Sequence, residues 1–169
     1  MNIAYRRARV DDAPAIDRVF RESFCDTFAH LYRSEDLQAF LSAFTLDAWR
    51  SELGDERFAF RVAEADEQVV GYVKLGPPAL PVEAEGSSVE LRQLYLLKQW
   101  PGLGAAKALM DWAIDEAKSR GGTELYLTVY TENERARRLY ERYGFVEVGP
   151  YHFMVGKQAD EDIIMRLAL

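Results

Sequence analysis

A chain of 169 residues, with 49% hydrophobic and 29% charged residues, is long enough for one folded domain and too apolar for extensive disorder. Its 21 basic and 28 acidic residues give a formal charge of −7, which disfavours nucleic-acid binding. Solubility is the first explanation of this charge, and a cationic small molecule or peptide is the ligand that it mildly favours. No apolar run approaches the roughly 20 residues that span a bilayer, and the N-terminus lacks the apolar core of a signal peptide.

The lone Cys25 rules out an internal disulfide and indicates a reducing compartment. It is also a poor candidate for a nucleophile, because no His and Asp partners are visible near it in the sequence. We therefore expect a single cytoplasmic domain over residues 1–169, with neither a membrane nor a nucleic acid as a partner.

The first part of the chain predicts one strand and three helices. Residues 3–9 alternate as a strand does, and a helix begins at Asp12 and Pro14, because Asp is a good N-cap and Pro is tolerated in the first turn. A second amphipathic stretch runs through residues 37–44. Thr45 caps a third, short helix that ends at Gly54.

The hydrophobic period then changes from helical to alternating. Residues 58–64 and 68–75 predict a hairpin of two strands, and Gly76-Pro77-Pro78 leads into an acidic surface loop. Residues 89–97 predict a further strand. Its consecutive apolar residues 94–97 indicate either burial on both faces or a bulge.

The last part of the chain alternates helices and strands. The pattern predicts a helix over 105–120, a strand over 124–130, a helix over 134–143 and two strands around 145–155 and 162–169. The order of these elements indicates an α/β (α+β) fold, with a sheet of mixed direction covered by helices on both faces.

A glycine-bearing turn, Gln99-Trp100-Pro101-Gly102-Leu103-Gly104, lies between a predicted strand and a predicted helix. Backbone N–H groups and the positive end of a helix dipole meet at such a turn, which is what a phosphate requires. A P-loop would need Gly-Lys-Ser/Thr, and a dinucleotide fingerprint would need glycine where Lys107 stands, so both are disfavoured. Taken alone, the turn is equally explained as an ordinary helix start with flexible glycines.

A second motif runs from Asn133 through Ala136 and Tyr140 to Gly144-Phe145. Residues 133, 136 and 140 are three and four apart, so they share one face of a helix that ends at Gly144. Tyr140 alone is explained equally well as a core aromatic with a satisfied hydroxyl.

Together these residues resemble the signatures of the GCN5-related N-acetyltransferases, the GNAT superfamily. Gln99-x-x-Gly102-x-Gly104, entered from a strand with Leu94-Tyr95-Leu96, resembles the family's acetyl-coenzyme A pyrophosphate motif. The run from Asn133 to Phe145 matches the family's next signature. The resemblance implies the GNAT fold, with a mixed, mostly antiparallel sheet of about seven strands and helices on both faces. It also implies an acyl-CoA N-acyltransferase that uses acetyl-CoA as co-substrate and no metal.

The resemblance assigns the residues that contact acetyl-CoA. In the family, the strand before the loop splays from its neighbour, so that the backbone groups of Leu94 and Leu96 would pair with the pantetheine arm. N–H groups between Gln99 and Ala105 would contact the pyrophosphate, although Pro101 has no N–H to give. The implied acetyl-CoA-binding residues are Leu94, Tyr95, Leu96, Gln99, Trp100, Gly102, Leu103, Gly104, Ala105, Asn133, Ala136 and Tyr140.

The resemblance also implies an acid and a base. Tyr140 would face the sulfur, and a phenol with a pKa of ~10 can protonate a thiolate whose conjugate acid has a pKa of ~8.5. A protonated amine must lose a proton before it attacks, and a carboxylate working through water is the expected helper. Glu90 is our candidate for this base. An ion pair with Arg92 and a plain surface carboxylate are the alternatives for Glu90.

A narrower resemblance is to the PaiA-type bacterial polyamine acetyltransferases. It rests on residues 71–75, on His152-Phe153-Met154-Val155-Gly156 and on Asp162-Ile163-Ile164-Met165. Those enzymes acetylate spermidine and spermine, so the resemblance implies a primary amine, such as a polyamine, as the acceptor. Residues 130–132 depart from the Trp-Glu pair that those enzymes tend to carry.

The acceptor has rival interpretations. A protein or peptide N-acetyltransferase and a non-catalytic acyl-CoA-binding sensor both stay open. Acidic Glu22, Asp26, Glu35 and Asp36 either face a polycation or are the solvated sides of amphipathic helices. Because homodimers are common among relatives, the resemblance also leads us to expect a homodimer.

Overall fold

Within residues 2–100 and 104–169, which the computed structural model describes, seven strands form one sheet. The strands are β1 (Ala4–Arg7), β2 (Ala59–Ala65), β3 (Gln68–Gly76), β4 (Ser88–Leu96), β5 (Glu124–Tyr130), β6 (Val146–Val155) and β7 (Gln158–Ala168). They lie side by side in the order β1-β2-β3-β4-β5-β7-β6, and each neighbouring pair is antiparallel except β4 with β5. This sheet confirms the predicted fold class.

Helices cover both faces of the sheet. In the described part of the chain they are α1 (Ala13–Phe28), α2 (Ser34–Ser42), α3 (Leu46–Leu53), α4 (Ala105–Ser119) and α5 (Glu134–Arg142). The neighbouring β2 residues Phe60 and Arg61 point to opposite faces, where Phe60 contacts Trp49 of α3 and Arg61 contacts Trp112 of α4. None of the described helices is both long and apolar enough to cross a membrane.

Local signals in the sequence account for several of these boundaries. Thr45 Oγ1 accepts a hydrogen bond from the N–H of Ala48 at 3.1 Å and so caps α3, as predicted. The β2–β3 turn places Asp66 and Glu67 at φ values of 49° and 63°, the left-handed pair that a tight hairpin needs. Pro14 occupies the first turn of α1, where its missing N–H has no partner to lose.

A cluster of aromatic rings holds α1 against the sheet. Phe20 is 1% exposed, and its ring centroid lies 4.4 Å from that of Phe44, 5.7 Å from that of Trp49 and 5.5 Å from that of Tyr95. Tyr95 belongs to β4, whereas Phe44 and Trp49 belong to the region around α3. The cluster therefore ties β4 to the helices on one face of the sheet.

Strand β4 separates from β5 soon after the two strands meet. The parallel pairing covers only Ser88–Glu90 against Glu124–Tyr126. On its other edge β4 shifts register opposite Lys74 and Leu75 of β3, with Arg92 as the extra residue of a bulge. A bulge bends its strand, so the rest of β4 follows β3 alone while the rest of β5 follows β7. The sheet therefore opens into a V between β4 and β5.

The bulge is one of the two structures that the apolar run 94–97 predicted. The alternative, burial of the strand on both faces, is wrong for Arg92 through Leu96, which are only half-buried. Their partial exposure follows from the V, because one edge of β4 has no neighbouring strand there. Arg92 itself lies over the ring of Phe58 at 5.5 Å and donates a hydrogen bond to the carbonyl of Pro77.

The last strand is longer than the sequence predicts. β7 begins at Gln158 rather than at residue 162 and pairs with β6 through a tight turn at Gly156 and Lys157. Gly156 has a φ of 57°, and a Cβ added there would lie 2.5 Å from the Cα of Asp36. The turn can therefore pack against α2 only if this residue is glycine. The earlier start brings Asp160 and Asp162 onto one face of the strand.

Apolar side chains are exposed along β6, which forms one edge of the sheet. Val146, Val148 and Met154 are 57%, 49% and 51% exposed. The expected homodimer stays a prediction, and this edge is the surface that it would use.

Replacing Phe20 by Ala should lower the free energy of unfolding by about 3–5 kcal/mol, because the change leaves a cavity among five other rings. Urea unfolding followed by circular dichroism measures this loss. Val148→Ala, on the exposed edge, is the control and should change stability by less than about 0.5 kcal/mol. A loss below about 1 kcal/mol for Phe20→Ala would show that the aromatic cluster does not organise the core.

Candidate active site

A cleft of about 250 Å³ occupies the V between β4 and β5. Residues 91–96 of β4 line one side, and Thr128, Val129 and Tyr130 of β5 line the other. Helix α5 with the preceding Asn133, the C-terminal half of α1 and the hairpin of β6 and β7 complete its walls. The cleft therefore draws on both halves of the chain.

The backbone of β4 directs peptide groups into this cleft that no neighbouring strand pairs. The N–H of Leu97 donates to the carbonyl of Val70 at 2.9 Å, so Leu97 and Tyr95 turn their peptide groups toward β3. Because alternate residues of a strand direct these groups to opposite edges, Leu94 and Leu96 direct theirs into the V. Ser23 Oγ, from α1, donates to the Leu96 carbonyl at 3.3 Å, as this direction requires.

The glycine turn leads into α4. Gly104 has a φ of 73° and immediately precedes Ala105, the first residue of the helix, which is buried. A φ in this range favours glycine, and the first-turn N–H groups of a helix have no partner within the helix. Gln99 and Trp100 are the first two residues of the turn, and Trp100 is half-buried against the core. The predicted contacts at Gly102 and Leu103, and Pro101 beside them, lie outside the described residues.

Helix α5 brings the second motif into the cleft. Asn133 is the N-cap rather than a residue within the helix, and its Oδ1 accepts a hydrogen bond from the N–H of Ala136 at 3.3 Å. Asn133, Ala136 and Tyr140 all line the cleft, as their spacing predicts. Gly144, with a φ of 96°, follows the helix and turns the chain so that Phe145 packs on Tyr140.

Tyr140 is a buried phenol that reaches the cleft. It is 8% exposed, and burial raises its pKa to about 12. Burial also raises the pKa of Tyr95, which lines the same cleft, and the nearby Tyr140 and Asp162 add to this effect. A hydroxyl with a raised pKa keeps its proton at neutral pH, so Tyr140 is available as a donor.

The structure does not bring Glu90 into the cleft. Its Oε1 accepts a hydrogen bond from the N–H of Ala79 at 3.0 Å, and its Oε2 lies 3.3 Å from Nε of Arg92. The side chain is buried under the loop that follows β3. The ion pair with Arg92, which the sequence left open as the alternative, is therefore present. Glu90 therefore does not line the cleft, and its predicted role as a base that works through water stays a prediction.

Two carboxylates that the sequence did not single out line the cleft instead. Asp160 accepts a hydrogen bond from the hydroxyl of Tyr32, in the segment that follows α1. Asp162 is 9% exposed and pairs across the sheet with Tyr130 of β5. Burial raises the pKa of Asp162 to about 7, the charge of Asp160 adds to the shift, and the Thr128 hydroxyl opposes it. The Asp-x-Asp spacing could have indicated two carboxylates on one face of a strand. That inference requires β7 to begin before Asp160, whereas the sequence predicted a start at residue 162.

The family model for the Acetyltransferase (GNAT) family matches residues 18–145, which include β4, the glycine turn and α5. The chain belongs to this family. It is therefore an acetyltransferase, and the predicted class of enzyme is confirmed.

Relatives and solved structures agree with this assignment. The chain is 28% identical to an uncharacterized N-acetyltransferase of Lactobacillus delbrueckii subsp. lactis, over 94% of the chain and 92% of the relative. It is 34% identical to an uncharacterized N-acetyltransferase of Mycobacterium bovis, over 78% of the chain and 81% of the relative. The PaiA N-acetyltransferase of Thermoplasma acidophilum, solved in complex with coenzyme A, superposes with a TM-score of 0.81 at 23% identity over all of both chains. That likeness shows the GNAT fold.

In this GNAT protein, six of the sequence-predicted residues line the cleft. Leu94, Tyr95 and Leu96 of β4 face Asn133, Ala136 and Tyr140 across the cleft. Gly104 and Ala105 lie at the start of α4, which follows β4. Glu90 alone among the predicted residues of the described chain is turned into a separate network of hydrogen bonds.

Replacing Asp162 by Asn should raise the melting temperature at pH 8 but not at pH 4. The pKa of Asp162 is about 7 in the folded protein and near 4 in an unfolded chain. Between these values the folded state binds a proton that the unfolded state has lost, so the stability from this group falls as the pH rises through pH 4 to 7. Asn resembles the protonated carboxyl and removes this cost.

Differential scanning calorimetry at both pH values measures the effect. We expect a gain of about 4 °C or more at pH 8 and no gain at pH 4. Glu161→Gln, an exposed neighbour on β7, controls for the loss of one negative charge. Equal gains for Asp162→Asn at the two pH values would contradict the raised pKa.

Proposed function

We propose that this chain transfers the acetyl group of acetyl-CoA to a primary amine, by direct attack within a ternary complex, with residues 1–169 acting as one domain. One observation carries the proposal. The V between β4 and β5 places peptide groups that no neighbouring strand pairs, a protonated phenol and two carboxylates around a single cleft. These are the groups that thioester aminolysis requires at the carbonyl oxygen, the leaving sulfur and the attacking nitrogen.

The donor side of the cleft fits an extended thioester arm. The peptide groups of Leu94 and Leu96 would pair with the pantetheine amides, as a neighbouring strand would. Ala136 is small where α5 faces them, which leaves room for the arm. Gln99, Trp100, Gly104 and Ala105, together with Gly102 and Leu103 in the turn, would contact the pyrophosphate at the start of α4.

Tyr140 would act as the acid. When the C–S bond breaks, the thiolate needs a proton, and a phenol that stays protonated in the ground state can supply it in the transition state. Backbone N–H groups near Leu94 to Leu96 that the pantetheine amides do not occupy would stabilise the negative charge that develops on the carbonyl oxygen. Tyr95 and Asn133 would shape the cleft around the reacting atoms.

The acceptor side of the cleft fits a cation with an aliphatic chain. Asp160 and Asp162 supply negative charge, and within the described chain no Lys or Arg forms an ion pair with either of them. Aromatic rings surround them, which suits methylene groups and cation–π contacts. These rings belong to Phe28, Tyr32, Tyr130 and Phe153. A polyamine such as spermidine has this chemistry.

The acidic residues that the sequence offered for a polycation are elsewhere. The carboxylate of Asp36 accepts hydrogen bonds from the Arg33 side chain and from the N–H of Lys157. On the surface of α1, Oε1 of Glu22 lies 3.6 Å from Nη1 of Arg18. Neither carboxylate lines the cleft. The polyamine proposal therefore rests on Asp160 and Asp162.

Release of coenzyme A thiol from acetyl-CoA, measured with a panel of amines, tests the proposal. We expect turnover with primary amines, and a higher kcat/KM for spermidine than for a peptide with a free N-terminal amine. Tyr140→Phe should lower kcat by about 10²-fold or more, because it removes the proton donor, while acetyl-CoA binding by calorimetry stays within about threefold. Tyr143→Phe, on the same helix end but bound to Asp111, is the matched control.

Three results would count against parts of this account. A preference for the peptide would replace the polyamine by a protein acceptor. Acetyl-CoA binding without thiol release for any amine would favour the non-catalytic sensor. Unchanged turnover of Tyr140→Phe would remove Tyr140 from the role of acid.

A further inference from the structure

The two cleft carboxylates lie in different surroundings. Asp160 is half-buried and accepts the hydroxyl proton of Tyr32 in a hydrogen bond. Asp162 is about nine-tenths buried, and the hydroxyl of Thr128 from β5 interacts with its carboxyl. Both belong to the part of β7 that pairs with β6, and both line the cleft with Tyr140. Asp160 is therefore the more exposed of the two carboxylates and Asp162 the more buried.

We propose that Asp162 takes the proton from the amine before the amine attacks, which is the role that the sequence assigned to Glu90. The inference rests on the proposed function and names a catalytic residue for it. Asp162 lines the cleft and faces Tyr130 and Tyr95, whereas Glu90 is held by Ala79 and Arg92 outside it. A substrate nitrogen in the cleft can therefore contact the carboxylate of Asp162 but not that of Glu90.

The acetyl transfer releases one proton for each amine that is acetylated. The substrate enters as R–NH₃⁺ and gives one proton to the Asp162 carboxylate, which later passes it to solvent. The nitrogen lone pair then forms the C–N bond with the thioester carbon, and the C–S bond breaks. The thiolate takes the proton of Tyr140, and the second proton lost by the nitrogen restores the phenol. The products are the N-acetylamine, coenzyme A thiol and one released proton.

The ionisation of Asp162 is set by groups from each element around it. A carboxyl with a pKa of about 7 is matched to a base that works near neutral pH. The cleft side carries Arg92, Asp160, Tyr32, Tyr95, Tyr130 and Tyr140. A second cavity, of about 350 Å³, is also lined by Asp162 and carries Arg137, Glu147, Tyr151, His152 and Glu161.

The pH dependence of kcat/KM with spermidine tests this role. For the unmodified chain we expect kcat/KM to rise about tenfold per pH unit up to about pH 7 and then to level, because a charged Asp162 can deprotonate the bound cation. For Asp162→Asn we expect kcat at pH 7.5 to fall by about 10²-fold. Its kcat/KM should also rise without a break to pH 9, because only amine that is already neutral in solution can react.

Three further variants separate this role from its rivals. Asp162→Glu keeps a carboxylate and should restore part of the rate together with the levelling near pH 7. Asp160→Asn should mainly raise KM for spermidine, because it removes charge without removing the proton acceptor, and the levelling should persist but move to lower pH, because the charge of Asp160 helps to raise the pKa of Asp162. Glu90→Gln should keep the levelling as well. Melting temperatures and acetyl-CoA binding verify that each variant is folded.

The outcomes distinguish the two proposals. Loss of the levelling in Glu90→Gln, or its persistence in Asp162→Asn with kcat within about threefold, would overturn the role of Asp162. If the unmodified chain releases no thiol with spermidine or with any other primary amine of the panel, the proposed function fails instead. If another amine of the panel is the better acceptor, the same profiles are measured with that amine.

Discussion

Strands β4 and β5 share hydrogen bonds over Ser88–Glu90 and then part, and the rest of the site depends on this separation. Peptide groups inside a sheet are normally paired, so a strand that leaves its neighbour must find other partners for them. In β4 these are the groups of Leu94 and Leu96. The bulge at Arg92, fixed by Phe58 and Pro77, bends the strand at the point where the pairing ends. A ligand with its own amide groups can complete the sheet there.

The acceptor side of the cleft depends on contacts between segments that are far apart in sequence. The Tyr32 hydroxyl binds Asp160, the N–H of Arg33 binds Oε1 of Gln158 at 2.6 Å, and the N–H of Lys157 binds Oδ1 of Asp36 at 2.7 Å. These bonds join the segment after α1 to the β6–β7 hairpin. They also hold Asp162 in an environment that favours its neutral form. The site therefore keeps a buried carboxyl at a cost in stability above pH 7.

Local chemistry made much of the fold predictable. Thr45 and Gly54 bound α3 because a cap needs a hydroxyl at one end and a helix ends readily at glycine. Asn133, Ala136 and Tyr140 meet the cleft because helical spacing fixes a shared face. The roles of Glu90 and Asp162 were not predictable in this way. The side of a strand on which a residue lies follows from register, and the bulge at Arg92 and the early start of β7 set that register through pairing with other strands.

If acetyl-CoA completes the sheet along β4, amide hydrogen exchange resolved by NMR will show it at individual residues. With saturating acetyl-CoA we predict that the amides of Leu94 and Leu96 exchange at least about tenfold more slowly. The amide of Tyr95, which already faces β3, should change far less and is the internal control. Unchanged exchange at Leu94 and Leu96, together with demonstrated binding of acetyl-CoA, would contradict the account.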